Sequence, residues 1–109
     1  MTVKFNDIKD KIDMLEMTIT LFGHSMKRKL GQDRRYFENE EIWADSYLIH
    51  TDVAVYEISF ISSKDKGIES ADLLLYHGPA LTEYLKSIYY PIEEQIDEII
   101  NFLMTLIGD

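Results

Sequence analysis

The chain contains no cysteine. Disulfides, thiolate metal sites and cysteine nucleophiles are therefore excluded, and the composition fits a reducing compartment. Basic residues are scarce: 11 Lys and Arg stand against 20 Asp and Glu, a formal net charge of −9 at pH 7. Phosphate neutralisation needs a basic surface, so the shortage argues against nucleic-acid binding. Long apolar runs are missing too. Met1 to Asp10 is polar and lacks the apolar stretch of a signal peptide. The C-terminal apolar segment is interrupted by Glu93, Glu94, Asp97 and Glu98, so no membrane-spanning helix is expected and the chain reads as cytoplasmic. The isolated glycines at 23, 31, 67 and 78 form no phosphate-cradling loop.

What is present is ordinary for a globular protein: 46% hydrophobic and 28% charged residues in 109, read as a single domain over residues 1–109. Charge is unevenly placed. Lys27, Arg28, Lys29, Arg34 and Arg35 face Asp33 alone within 27–35, leaving 6 basic and 19 acidic residues elsewhere. Two acidic clusters stand out, Glu38, Glu40, Glu41 and Asp45, then Glu93, Glu94, Asp97 and Glu98. They are either a solvated surface or a face that meets a basic partner.

Apolar residues recur at intervals of three and four at both ends, as Ile8, Ile12, Leu15, Ile19, Phe22, Met26 and Leu30, then Leu81, Leu85, Ile88, Ile92, Ile96, Ile99, Leu103 and Leu106. The spacing predicts two long amphipathic helices. The first would run from Asn6, as its cap, to Leu30, with Gly31 as its stop, Phe5 packing on its first turn and Lys27, Arg28 and Lys29 complementing its last carbonyls. Gly23 weakens that helix, and Thr18-Ile19-Thr20 allows a strand as the alternative. The second helix would open at Gly78-Pro79 and kink or break at Tyr89-Tyr90, where Pro91 removes a backbone donor and would start a new helix.

Between them lies a strand-rich stretch. Val53 to Ile61 is dense in β-branched and aromatic residues, with Ala54, Tyr56, Ile58 and Phe60 on one face. Ser62 to Gly67 reads as a turn, Ala71 to Tyr76 as a returning antiparallel strand, and Tyr47 to His50 as a third strand if the chain turns near Thr51-Asp52; without an Asn-Gly or Asp-Gly there, one longer bent strand is the alternative. Residues 32–46 carry little signal: Gln32-Asp33 is a turn candidate, and Asn39 to Tyr47 fits a short helix or, by preference, a strand beginning near Trp43. The expected fold is α+β: a long N-terminal helix, two or three antiparallel strands and a long kinked C-terminal helix. A 25-residue helix would span roughly 37 Å. Three strands cover only about 10–15 Å, so the excess apolar length should pack helix on helix, within one chain or across a homodimer.

No constellation names a reaction. His50, Asp52 and His77 could converge as two imidazoles and a carboxylate, but their spacing matches no compact metal motif. Neither a metal nor any other cofactor is expected. His24 should be exposed. Glu57 is a carboxylate within an apolar strand, expected to face outward with Ser59. Ser62 and Ser63 lack a nucleophile elbow. Tyr56, Tyr76, Tyr84, Tyr89 and Tyr90 cluster in sequence around the sheet-to-helix region and, with Trp43, suit either core edges or contact hot spots.

The expected function is that of a non-enzymatic, acidic protein-binding module, a small regulator or an inhibitor of the immunity type that neutralises a basic partner such as a toxin or nuclease. The partner-binding candidates are Glu38, Glu40, Glu41, Glu93, Glu94, Asp97 and Glu98. Acidic DNA mimicry is a variant of this expectation. The alternatives are a structural homo-oligomeric subunit, assembled as a homodimer or larger through its apolar helices, and a small-molecule or metal-binding domain.

Overall fold

The computed structural model describes residues 3–29, 34–37, 40–63, 67–79 and 81–108. The chain is α+β. Helix α1 (Phe5–Leu21) precedes six antiparallel strands, β1 (Ser25–Arg28), β2 (Arg34–Phe37), β3 (Glu40–His50), β4 (Val55–Ser63), β5 (Gly67–Gly78) and β6 (Leu81–Tyr89), and helix α2 (Glu93–Gly108) follows. The six strands fill five positions, since β1 and β2 both pair with β3 and the sheet continues through β4 and β5 to β6. The expected strand count of two or three is therefore too low.

The first correction concerns α1. Its apolar stripe is real over Ile8, Ile12, Leu15 and Ile19, all buried. It begins one residue before the expected cap, and Asp7 accepts the Lys4 backbone N–H at 3.0 Å in place of any cap by Asn6. Phe5 packs on the Phe60 ring, 5.9 Å between centroids. The helix ends at Leu21, not Leu30. Gly23 adopts φ +83°. Its N–H donates to the Thr20 carbonyl and the His24 N–H to the Ile19 carbonyl, the paired bonds of a Schellman stop. The chain then reverses into β1, where Met26 returns to the core and His24 is half-buried, not exposed. Gly31 lies outside the described residues.

The second correction concerns residues 81–89, which form edge strand β6 and not the first half of a helix. The register shifts where Leu73 pairs with Lys86 but Leu74 with Tyr84, so Leu85 is the extra residue of a β-bulge. A bulge lets Leu85 and Ile88, three apart, pack against one core. Such spacing imitates a helix. Gly78 is the last residue of β5 and Pro79 follows it toward β6, so the pair opens no helix. Helix α2 starts only after buried Pro91, with Ile92 donating its N–H to Gln95 Oε1 at 2.9 Å. Among the described residues, neither helix is long and apolar enough to cross a membrane.

Both helices lie on one face of the sheet. Ile96, Ile99 and Leu103 of α2 join the α1 stripe, Ile49, Ile58, Phe60, Ile68 and Leu73 in one buried cluster. Lys11 of α1 ties the helices together by bonding Asp97, at 2.8 Å, and Glu93, at 3.4 Å. At roughly 25 Å, a 17-residue α1 is much shorter than expected and the sheet much wider, so the sheet absorbs most of the apolar surplus.

Candidate functional site

The site is on the other face, which neither helix covers. Strand alternation turns Glu57 and Ser59 away from Ile58 and Phe60. The register then lines up one short polar side chain per strand: Ser46 of β3 opposite Ser59 of β4, Ser59 opposite Asp72 of β5, and Asp72 opposite Ser87 of β6. The Ser46 and Ser59 hydroxyls bond at 2.8 Å. Ser87 donates to Asp72 Oδ1 at 2.5 Å and Ser70 to Oδ2 at 2.8 Å. This is a polar row across the sheet, held by cross-strand hydroxyl bonds.

Two buried carboxylates stand on this face, Glu57 and Asp72, each 6% exposed. Their surroundings differ. Glu57 Oε1 accepts the Tyr76 hydroxyl and, at 3.3 Å, the Lys29 ammonium. Burial and the bond to Glu57 push the Tyr76 phenol up to about 12. Asp72 has its two serine donors and, among the described residues, no cationic partner.

Asp72 forms part of a recess of about 480 Å³ lined also by Ile61, Glu69, Ser70, Tyr84, Ser87, Tyr89 and Tyr90. Among the described residues, no basic side chain lines it. The three tyrosines are 64%, 75% and 68% exposed, respectively. Tyr90 takes a left-handed φ of +49°. For a residue with a Cβ that conformation costs about 1–2 kcal/mol. The Tyr90 N–H donates to the Glu69 carbonyl at 2.8 Å, and Pro91 is buried beside it, so both sides of the strained residue are fixed. Strained backbone of this kind concentrates at functional sites.

Comparison with protein-family models, curated proteins and solved structures finds no match for this chain. The site is therefore read from its geometry alone.

The structure redistributes the residues singled out in the sequence. Glu57 does face away from the core with Ser59, but it is buried and paired. Of the five tyrosines, Tyr84, Tyr89 and Tyr90 converge on the recess, Tyr76 joins Glu57, and Tyr56 is buried in the core. Trp43, on β3, pairs with Ser62 of β4 and does not line the recess. The acidic clusters do not merge. Glu38 lies outside the described residues, Glu40 and Glu41 open β3, and Asp45 bonds Arg28 at 2.8 Å. Burial raises the Asp45 carboxyl, a shift that Arg28 opposes. On α2, Glu93 and Asp97 are engaged by Lys11 while Glu94 and Glu98 are exposed. The basic cluster is not at a helix end: Arg28 and Lys29 sit at the β1 edge against Asp45 and Glu57. His50 and His77 stand on strands separated by β4, and His77 bonds Glu83 at 2.7 Å. The described residues include no cluster of three or more potential metal ligands.

Asp72, Ser87, Ser70 and Glu69 were missed. One signal was available: Asp72 is a lone carboxylate inside the apolar run Ala71 to Tyr76, the same anomaly that marks Glu57.

Proposed function

We propose that this chain is a non-enzymatic protein-binding module, a small regulator or inhibitor that meets a basic partner on the helix-free face of its sheet. The observation that carries the reading is the recess. Three exposed tyrosines beside Glu69 and buried Asp72, with no basic side chain among them, combine large contact area with negative charge. Tyrosine is enriched among residues that dominate binding energy. The net charge of −9 would steer a basic partner toward the molecule.

The test is capture of the native partner from the source cell, followed by association kinetics at several salt concentrations. Tyr84→Ala or Tyr89→Ala should weaken binding by about tenfold or more through the off-rate, as contact anchors do. Glu69→Lys should lower the on-rate and flatten its salt dependence. Two competing maps remain: reversal of Glu38, Glu40 and Glu41, and reversal of Glu93, Glu94, Asp97 and Glu98. If either reduces the on-rate while the tyrosine and Glu69 variants bind normally, the partner docks elsewhere. A partner unaffected by salt and by every reversal would refute the charge-steered reading.

A second reading, self-association through the helices, has one observation in its favour. Met14, Met17 and Leu21 are exposed on the outer side of α1, spaced as a helical stripe. Sedimentation equilibrium of the native chain and of a Met14→Lys, Met17→Lys double variant decides it. A dimer that the double variant abolishes supports assembly, and a monomer that stays monomeric at tenfold higher concentration excludes it.

A further inference from the structure

We infer that the recess receives a guanidinium group, the arginine side chain of a partner, with Asp72 as its anion and the tyrosines as its walls. The inference rests on the partner-binding reading and deepens it.

The argument starts from the two buried carboxylates. Burying a charge is unfavourable unless it is paired, and buried carboxylates are normally matched to a cation. Glu57 follows that rule through Lys29. Asp72, equally buried, does not among the described residues. Its two bonds come from hydroxyls, one to each oxygen. A carboxylate offers about four acceptor positions, so each oxygen keeps one free. Two free positions on adjacent oxygens match the fork of a guanidinium, which donates two parallel N–H bonds.

The walls favour the same group. Arginine is planar, stacks on aromatic faces and is more weakly hydrated than an ammonium, so it enters an aromatic recess at lower desolvation cost than lysine. Glu69 adds negative charge to the lining, and no basic residue among the described ones there opposes entry. The backbone of left-handed Tyr90 is held by the Glu69 carbonyl and followed by buried Pro91, which fixes where its side chain leaves the chain at the rim of the recess.

The test is a solution NMR titration of the full chain, labelled with nitrogen-15, with three probes: N-acetyl-arginine amide, its lysine counterpart, and the citrulline counterpart that keeps the shape but lacks the charge. Saturable shifts from the arginine probe should centre on the amides of Asp72, Tyr84, Ser87, Tyr89 and Tyr90. Millimolar affinity is expected for a lone side chain. The lysine probe should bind several-fold more weakly and the citrulline probe at least tenfold more weakly. Asp72→Asn should reduce arginine affinity at least tenfold, and Tyr89→Ala several-fold. Because Asp72→Asn disturbs a buried network, exposed Tyr89 provides the variant that leaves the fold intact. Equal binding of arginine and citrulline probes, non-saturating shifts, or shifts centred on Glu94 and Glu98 would overturn the inference. A failed titration beside a partner whose binding still depends on Tyr84 and Glu69 removes the arginine pocket alone. A saturable titration with no basic partner on this face removes the broader reading and leaves the pocket.

Discussion

On the helix side of β4, Tyr56, Ile58 and Phe60 are buried against α1, α2 and neighbouring strands; on the reverse side of the same strand Glu57 and Ser59 are buried as well, against hydroxyls and an ammonium. Burial is nearly equal and its chemistry is opposite. On the first side, apolar area leaves water without leaving any group unsatisfied, and stability follows directly. On the second, every buried polar atom loses water and returns only what its new partner supplies. The pairing, not the burial, therefore separates structure from site. Glu57 is closed off by Lys29 and Tyr76. Asp72, one strand along, is left facing a recess.

The widest contrast should appear when one residue is truncated on each side of β4. Phe60→Ala removes a fully buried ring that meets Phe5 and should cost about 3–5 kcal/mol in urea unfolding. Ser59→Ala, adjacent in sequence, removes one hydroxyl bond to Ser46 and should cost about 1 kcal/mol. If the two losses were equal, the open face would be a second core and the distinction would fail.

How far these faces were legible depends on which period the residues impose. Ile8 to Ile19 has one periodicity, which outweighs the β-branched Thr18-Ile19-Thr20, and α1 follows it. The same holds for Val55 to Phe60, whose alternation was readable and correct. Beyond Ile19 the apparent stripe joins two elements: Phe22 sits exposed at the helix stop, while Met26 is buried from a strand that Gly23 has turned around. Residues 81–89 misled through the bulge at Leu85, which gives a strand three-residue spacing. Periodicity cannot distinguish that from a helical turn. The candidate site was lost with it. Asp72 and Ser87 meet only if β6 is a strand paired to β5, so reading 81–89 as helix separated the two halves of the recess. Glu57 needed only local alternation and was found.

A middle-sized effect should come from the closed carboxylate. Tyr76 donates to Glu57, and Tyr76→Phe should cost about 1 kcal/mol near neutral pH, less than a fully buried bond to a charged group because Tyr76 is only half-buried. Its pH dependence has a definite sign. The folded phenol titrates at about 12 against an ordinary value of 10.0. Folding therefore favours the protonated form. The contribution is fully present below the unfolded value and is lost as pH rises toward and through the folded one. Stability curves of the native chain and Tyr76→Phe should stay separated from neutral pH until roughly pH 10 and converge above it. A gap that widens with pH in that range would mean that Glu57 and Tyr76 are not coupled as the geometry indicates.

The smallest effect should come from Lys11, and it tests whether charge matters on the helix side at all. Its ammonium is raised chiefly by the bond to Asp97, with Glu93 contributing. The pair is half-buried at the surface and open to screening, so Lys11→Met should move the melting temperature less than either previous change, and added salt should shrink the difference. The same variant has a second use. Removing Lys11 releases Glu93 and Asp97 and restores the full acidic cluster with Glu94 and Glu98. If that helix face recruits the basic partner, the variant should associate clearly faster. If the open sheet face does so, the gain is limited to the general pull of one more negative charge and should be smaller than the on-rate lost in Glu69→Lys. A larger gain from Lys11→Met than loss from Glu69→Lys would place the partner over the helices and reverse the roles assigned to the two faces.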